Sequence, residues 1–295
     1  MTKAVFTTSE SSAYDDQPEV RYHFPRTYLR AVEAAVGDFI VYYEPRRTEG
    51  ANSRTGRQSY FAVARVSRVD EDRVKPGHYY ASVDSFLEFE HAVPFNTGGH
   101  YYELGLRKAD GSTNKGAFGR AVRPLSDAEF EAILHAGFMR ELDVWERTPT
   151  GVEEPQPVYA ERPITEQVIQ RPFREAAFRR RVRQAYSETC AVSGLRLING
   201  GGRPEVQAAH IQPVAHQGPD SVRNGLALTG TVHWLFDRGL LSVGDDYRIL
   251  LARSGVPEDV GRLIHSNRQL RLPRREEWRP HPSYLKWHRE HVFKG

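Results

Sequence analysis

Four side chains in the last third of the 295-residue chain have types and spacing suited to hydrolysis. His210, Asn224 and His233 follow one another at intervals of fourteen and nine residues, and Asp237 comes four residues after the last histidine. Two residues four apart on a helix leave the same face, so His233 and Asp237 can reach one ion. An imidazole and a carboxylate suit Mg²⁺ or Mn²⁺, with Ni²⁺ or Co²⁺ as alternatives, better than a structural zinc. No structural zinc is expected, because the single cysteine, Cys190, cannot make paired CxxC knuckles. Hydrolysis calls for a water, a base to deprotonate it, and positive charge for the developing negative charge and the leaving group. A bound divalent ion is one source of that charge.

The segments that carry these residues read as strand, loop and short helix. AAHIQP places His210 at a strand end, RNGLAL carries Asn224, and HWLFDRGLLSV carries His233 and Asp237. With the following DYRI, these motifs resemble the HNH endonucleases of the ββα-metal superfamily over about residues 190–251. The resemblance implies that His210 is the general base. It also implies that the Asn224 amide holds the loop and orients that base, and that His233 with Asp237 holds one divalent ion. Arg238 is then placed to meet the scissile phosphate. Many members carry a metal ligand just before the base histidine; here that position is Ala209, so waters or another ligand such as His216 would complete the shell.

Composition bounds the rest. A chain of this length suits two domains, and 39% hydrophobic residues are enough for packed cores. No apolar run approaches the roughly 20 residues of a membrane helix, and the polar N-terminus lacks an apolar signal segment, so no membrane partner is expected. One cysteine excludes an internal disulfide and suits a reducing cytoplasm. The net charge of +3 does not itself argue for nucleic acid, but its distribution is uneven. RPFREAAFRRRVR opens the C-terminal part with Arg179, Arg180 and Arg181 in a run, read either as a solvated helix face or as phosphate contacts whose strength would depend on salt.

In chain order, residues 1–143 alternate short strands with turns and two small helices, the second opened by a Ser126/Glu129 capping box over residues 125–138. Residues 144–172, rich in proline and acid without periodicity, read as a linker, and residues 173–295 form the nuclease domain. The predicted class is α+β: a small β-barrel with helical attachments, a linker, and a ββα-metal domain. RYHFPRTYLRAV, GDFIVYYEPRR, YFAVARV and HYYASVDSFLEFEHAVPF resemble the PUA superfamily, particularly its EVE- and SRA-like readers of modified bases. That implies double-stranded DNA carrying a modified base, with modified cytosine the leading candidate, flipped into an aromatic pocket. Tyr22, Phe24, Tyr42, Tyr43, Tyr79 and Tyr80 are the pool for such a pocket. Neighbours on a strand face opposite ways, so only one of each adjacent pair can line it. Arg46, Arg47 and Arg57 follow the third strand and could embrace the backbone. The expected activity is modification-dependent restriction, by a homodimer if both strands are cut. The alternatives are a nickase or endonuclease reading sequence or structure, and a nucleic-acid binder that has lost catalysis.

Overall fold

A computed structural model of the chain describes residues 2–8, 14–45, 57–147, 170–202 and 204–295. It divides into two units, residues 1–173 and 174–295. In the first unit, β1 (Ala4–Thr7), β2 (Arg21–Pro25), helix α1 (Leu29–Glu33) and β3 (Phe39–Glu44) lead to two long strands, β4 (Ser59–Glu71) and β5 (His78–Pro94). A small hairpin, β6 (Asn96–Thr97) with β7 (His100–Tyr101), helix α2 (Lys115–Phe118), β8 (Val122–Pro124) and helix α3 (Asp127–Arg147) complete it.

The main sheet runs β2-β5-β4-β3-β1-β8, antiparallel except for the β1–β3 pair. Register shifts at Tyr42/Tyr43 on the β3–β4 ladder, and at three points on β4–β5, bend and twist the strands. The small β-barrel expected from the sequence is here a curled half-barrel whose end strands are β2 and β8. Both of its faces are covered at β3. Tyr42 lies with Phe6, Tyr22 and Phe61 on one side, while Tyr43 meets Tyr60, Phe95 and Phe118 on the other.

Helix α3 opens with the expected reciprocal cap: Ser126 Oγ accepts from the Glu129 amide at 3.3 Å, and Glu129 Oε2 accepts from the Ser126 amide at 2.8 Å. It runs on to Arg147, so residues 144–147 are helical rather than linker. The added stretch, MRELDVWER, is dominated by residues of good helix propensity and contains neither glycine nor proline. Residues 148–169 of the expected linker lie outside the described residues.

The second unit opens with helix α4 (Arg171–Ala185), whose first residues precede the division. The hairpin β9 (Gln207–His210) with β10 (Gly225–Leu228) leads into helix α5 (Gly230–Asp237). A second hairpin, β11 (Leu241–Val243) with β12 (Ile249–Leu251), and helix α6 (Pro282–His291) close the unit. Its core gathers Phe178 and Val182 of α4, Ala209, Leu226, Val232, Phe236, Val243 and Leu285. Among the described residues no helix is long and apolar enough to cross a membrane.

Helix α6 fixes the end of α5 through one buried histidine. His288 is 2% exposed, stacks on Phe236 with centroids 3.8 Å apart, and spans Ser242 Oγ at 2.9 Å and the Phe236 carbonyl at 3.2 Å. A carbonyl only accepts, so Nε2–H donates to it and the Ser242 hydroxyl donates to Nδ1. Burial pushes the His288 pKa down from 6.5 to about 4. The unfolded chain therefore takes up a proton near pH 6.5 that the folded chain refuses until about pH 4. We predict that stability falls as pH drops through that window, by at most about 3 kcal/mol from this group. Urea unfolding at pH 7 and pH 4.5 measures it, and H288Q should flatten the dependence. An equal loss in both proteins would contradict the assignment.

Candidate active site

The site is built on β9, β10 and α5, in the ββα order that the motifs led one to expect. Asn224 closes the loop between the two strands. It is 0% exposed, and its side-chain oxygen accepts from the Gln212 amide at 2.9 Å. Its amino group donates to the carbonyls of Gln212 at 2.9 Å and Pro219 at 3.0 Å. An amide with donors at one end and an acceptor at the other is well suited to this bracket. The enclosed loop is tight: a Cβ on Gly218 would lie 1.8 Å from the Gln212 carbonyl oxygen, so only glycine fits there. The next residue after Asn224 obeys a similar limit, since a Cβ on Gly225 would sit 2.4 Å from Val182 of α4.

That close approach brings α4 beneath His210, which pairs with Gly225 across the hairpin. The Phe178 ring stacks on the His210 imidazole with centroids 3.8 Å apart and planes 10° from parallel. His210 Nε2 lies 3.1 Å from Asp220 Oδ1, and Asp220 is buried in the loop that Asn224 closes. Arg174 Nε stands 3.9 Å from the other Asp220 oxygen. The His210 side chain remains partly open to solvent.

His233 and Asp237 project together from α5, as their spacing requires, with His233 Nε2 3.4 Å from Asp237 Oδ2. Gln207 Oε1 meets His233 Nδ1 at 2.9 Å; an amide oxygen only accepts, so Nδ1 carries the proton. In the neutral ring Nε2 then presents its lone pair beside a carboxylate, a nitrogen and an oxygen donor converging on one point. This donor set fits a hard or borderline divalent cation, with water for the remaining positions. Among the described residues no group of three His, Cys, Asp or Glu comes together in this way. His216 stands in a 3₁₀ turn against Trp287, with ring centroids 5.2 Å apart. No hydrogen bond, ion pair or ring contact joins His210 to His233; each has its own orienting partner.

Beside His233 an open groove of about 1040 Å³ runs along α4. Arg179, Arg180 and Arg183 line one wall with Ala176 at helical spacing, facing Leu197, Ile198 and Asn199. Arg181, expected with the phosphate contacts, is instead 9% exposed and turned away from the groove. Its place in the helix, between Phe178 and Val182 of the core, accounts for that. Arg183 takes its position in the groove, and Arg238 stands exposed at the end of α5.

In the first unit the expected aromatic pocket is largely filled by its own members. Tyr22, Phe24, Tyr42 and Tyr43 are at most 3% exposed and lie within the sheet's packing layers. Only Tyr79 and Tyr80 are partly open, with Tyr80 stacked on His23 at 4.5 Å. Burial also raises the pKa of the Tyr42 and Tyr43 phenols, and their hydroxyls have no hydrogen-bond partner among the described residues. Arg57 is held 3.0 Å from Glu44 and over the Phe61 ring, tied to neighbouring strands rather than extended toward a duplex. Arg46 and Arg47 lie outside the described residues.

Comparison with known proteins fits the second unit. The HNH endonuclease family matches residues 190–244, which hold His210, Asn224, His233 and Asp237. Those residues form an HNH endonuclease domain. With that domain the protein is an endonuclease, a hydrolase acting on DNA. Cys190, at the head of the match, holds a turn: its buried sulfur accepts from the Ser193 and Thr229 amides at 3.4 Å each. No curated protein matches the chain. Among solved structures, the modification-dependent TagI restriction endonuclease aligns over 99% of this chain and 81% of its own, at 15% identity and a TM-score of 0.31. The type IV phosphorothioation-dependent restriction endonuclease ScoMcrA aligns over 79% of this chain and 52% of its own, at 12% identity and a TM-score of 0.19. At such scores neither superposition carries weight of its own.

Sequence reading missed Asp220, Gln207 and Phe178 as members of this site, which act through space on residues it did find. The Asn224 bracket yields a direct test: N224A strands the buried Gln212 amide and two carbonyls, at about 1–3 kcal/mol for each group that water does not reach. We expect thermal unfolding of the second unit to shift down by several degrees, and N224A with an unchanged melting temperature would contradict the bracket.

Proposed function

We propose that this protein is a modification-dependent restriction endonuclease, with nuclease chemistry in residues 174–295 and a modified-base reader in the first unit. The observation that carries the nuclease half is the partly open, clamped His210 in a domain of the HNH family, with a nitrogen–oxygen donor pair on α5. His210 takes a proton from water, the resulting hydroxide attacks phosphorus, and the bond to the 3′ oxygen breaks. His233 and Asp237 would hold a divalent ion, Mg²⁺ or Mn²⁺ by their chemistry, which when bound would supply positive charge for that oxygen. Arg179, Arg180 and Arg183 follow the phosphate strand along the groove, and Arg238 meets the phosphate nearest the cut.

The reader half rests on the resemblance of the first unit to PUA-like base readers and on a need for restraint, since an endonuclease cutting all DNA would destroy its host's. Tyr79 and Tyr80, on opposite faces of β5, are the aromatic surfaces of which one is open to meet an extruded base, modified cytosine being the leading candidate. The Tyr42 or the Tyr43 hydroxyl, each without a hydrogen-bond partner among the described residues, is a polar group able to test its edge, whichever lies on the face that meets the base. One such site cuts one strand, so we further propose that a double-strand break is made by two copies on DNA. Sedimentation showing only monomer with and without DNA would remove that.

Digestion of matched duplexes with and without modified cytosine, in Mg²⁺ or Mn²⁺, tests the whole reading. We expect cleavage of the modified duplex alone. Equal cleavage of both would remove the reader and favour an endonuclease of other specificity. Cleavage of neither would leave a binding protein.

A further inference from the structure

We propose that Asp220 is the positioning residue for His210, fixing the imidazole as the Nε2–H tautomer so that Nδ1 is the basic atom. This rests on the reading of His210 as the base, and it goes further by assigning the atom that accepts the proton and the group that selects it.

The argument starts from hydrogen-bond chemistry. The His210 Nε2 to Asp220 Oδ1 distance is 3.1 Å, and an ionised carboxylate has no proton to give. Nε2 must therefore donate, and in the neutral ring the lone pair is left on Nδ1. Nδ1 makes no hydrogen bond to any described residue, so it is open to a water. Two ring motions remain to be restrained. Stacking on Phe178 at 3.8 Å fixes the plane, and the bond to Asp220 fixes the rotation within it. Asp220 is itself held. It is 8% exposed, it sits in the segment whose Pro219 carbonyl Asn224 grips at 3.0 Å, and Arg174 approaches its second oxygen at 3.9 Å. A buried carboxylate without a compensating cation would be expensive to keep ionised, and Arg174 supplies that cation. Among the described residues, the ion pairs at the ring are His210 with Asp220 and, behind it, Arg174 with Asp220. As the proton arrives on Nδ1 the ring becomes a cation, and the Asp220 charge beside Nε2 stabilises it, the task a carboxylate performs behind the histidine of a hydrolytic triad.

The experiment uses the full chain. Long-range ¹H–¹⁵N correlation of the imidazoles, with His210 assigned by difference from H210Q, reads the tautomer directly. We expect the Nε2–H form in the wild type. In D220N the side-chain amide can donate to Nε2 and drive the proton to Nδ1, so the spectrum should shift toward the Nδ1–H form. Single-turnover cleavage by D220N should then fall about 10²–10⁴-fold, with KM and DNA affinity held within about twofold. A role confined to folding would lower the melting temperature without moving the tautomer. The proposal is overturned by an Nδ1–H tautomer in the wild type, or by wild-type cleavage from a folded D220N. If D220N does not fold, the wild-type tautomer still decides. A wild-type protein that cuts no DNA would sink the nuclease reading separately, leaving the tautomer measurement to judge Asp220.

Discussion

The site depends on one side-chain amide. Asn224 spends its oxygen and both of its amino hydrogens on the backbone of a single loop, and so fixes where that loop begins and ends. His210 precedes the loop, Asp220 lies within it, and the strand that follows leads into α5. A buried group with every hydrogen bond satisfied is costly to displace, since each broken bond would strand a partner away from water. The two glycines flanking this bracket serve the same end by letting backbone approach backbone and α4 approach β10. Rigidity here has a chemical purpose: a base must be held at hydrogen-bond reach of its water before its basicity matters.

Around that fixed loop the second unit divides its labour by element. The strand β9 supplies His210 and, through Gln207, the orientation of His233. Helix α5 supplies the donor pair, and α6 clamps its last turn through His288. Helix α4 does two things by its two faces. Phe178 and Val182 enter the core and support His210, while Arg179, Arg180 and Arg183 face the groove. The first unit is built differently, with aromatic rings filling both faces of a curled sheet.

Much of the second unit was legible because its signals are local. A histidine and an aspartate four apart declare a shared helix face, and three short motifs in order declare the hairpin and helix that hold them. What escaped were partners joined only through space. Nothing in the spacing of Asp220 from His210 reveals a hydrogen bond, because the loop between them folds back under control of Asn224. Alternation along a strand predicts which neighbours face apart, but not whether both faces are covered; for Tyr42 and Tyr43 both are. The arginine run showed charge, while only the helix phase against the core separates Arg181 from Arg180.

The central claim is that His210, so held, removes the proton from the attacking water. Single-turnover cleavage by H210A, measured beside its affinity for the same duplex, tests it most directly. The account requires cleavage to fall at least about 10²-fold, the range for loss of a general base, while DNA binding and melting temperature stay near wild type. Cleavage at the wild-type rate by a folded H210A protein would contradict it.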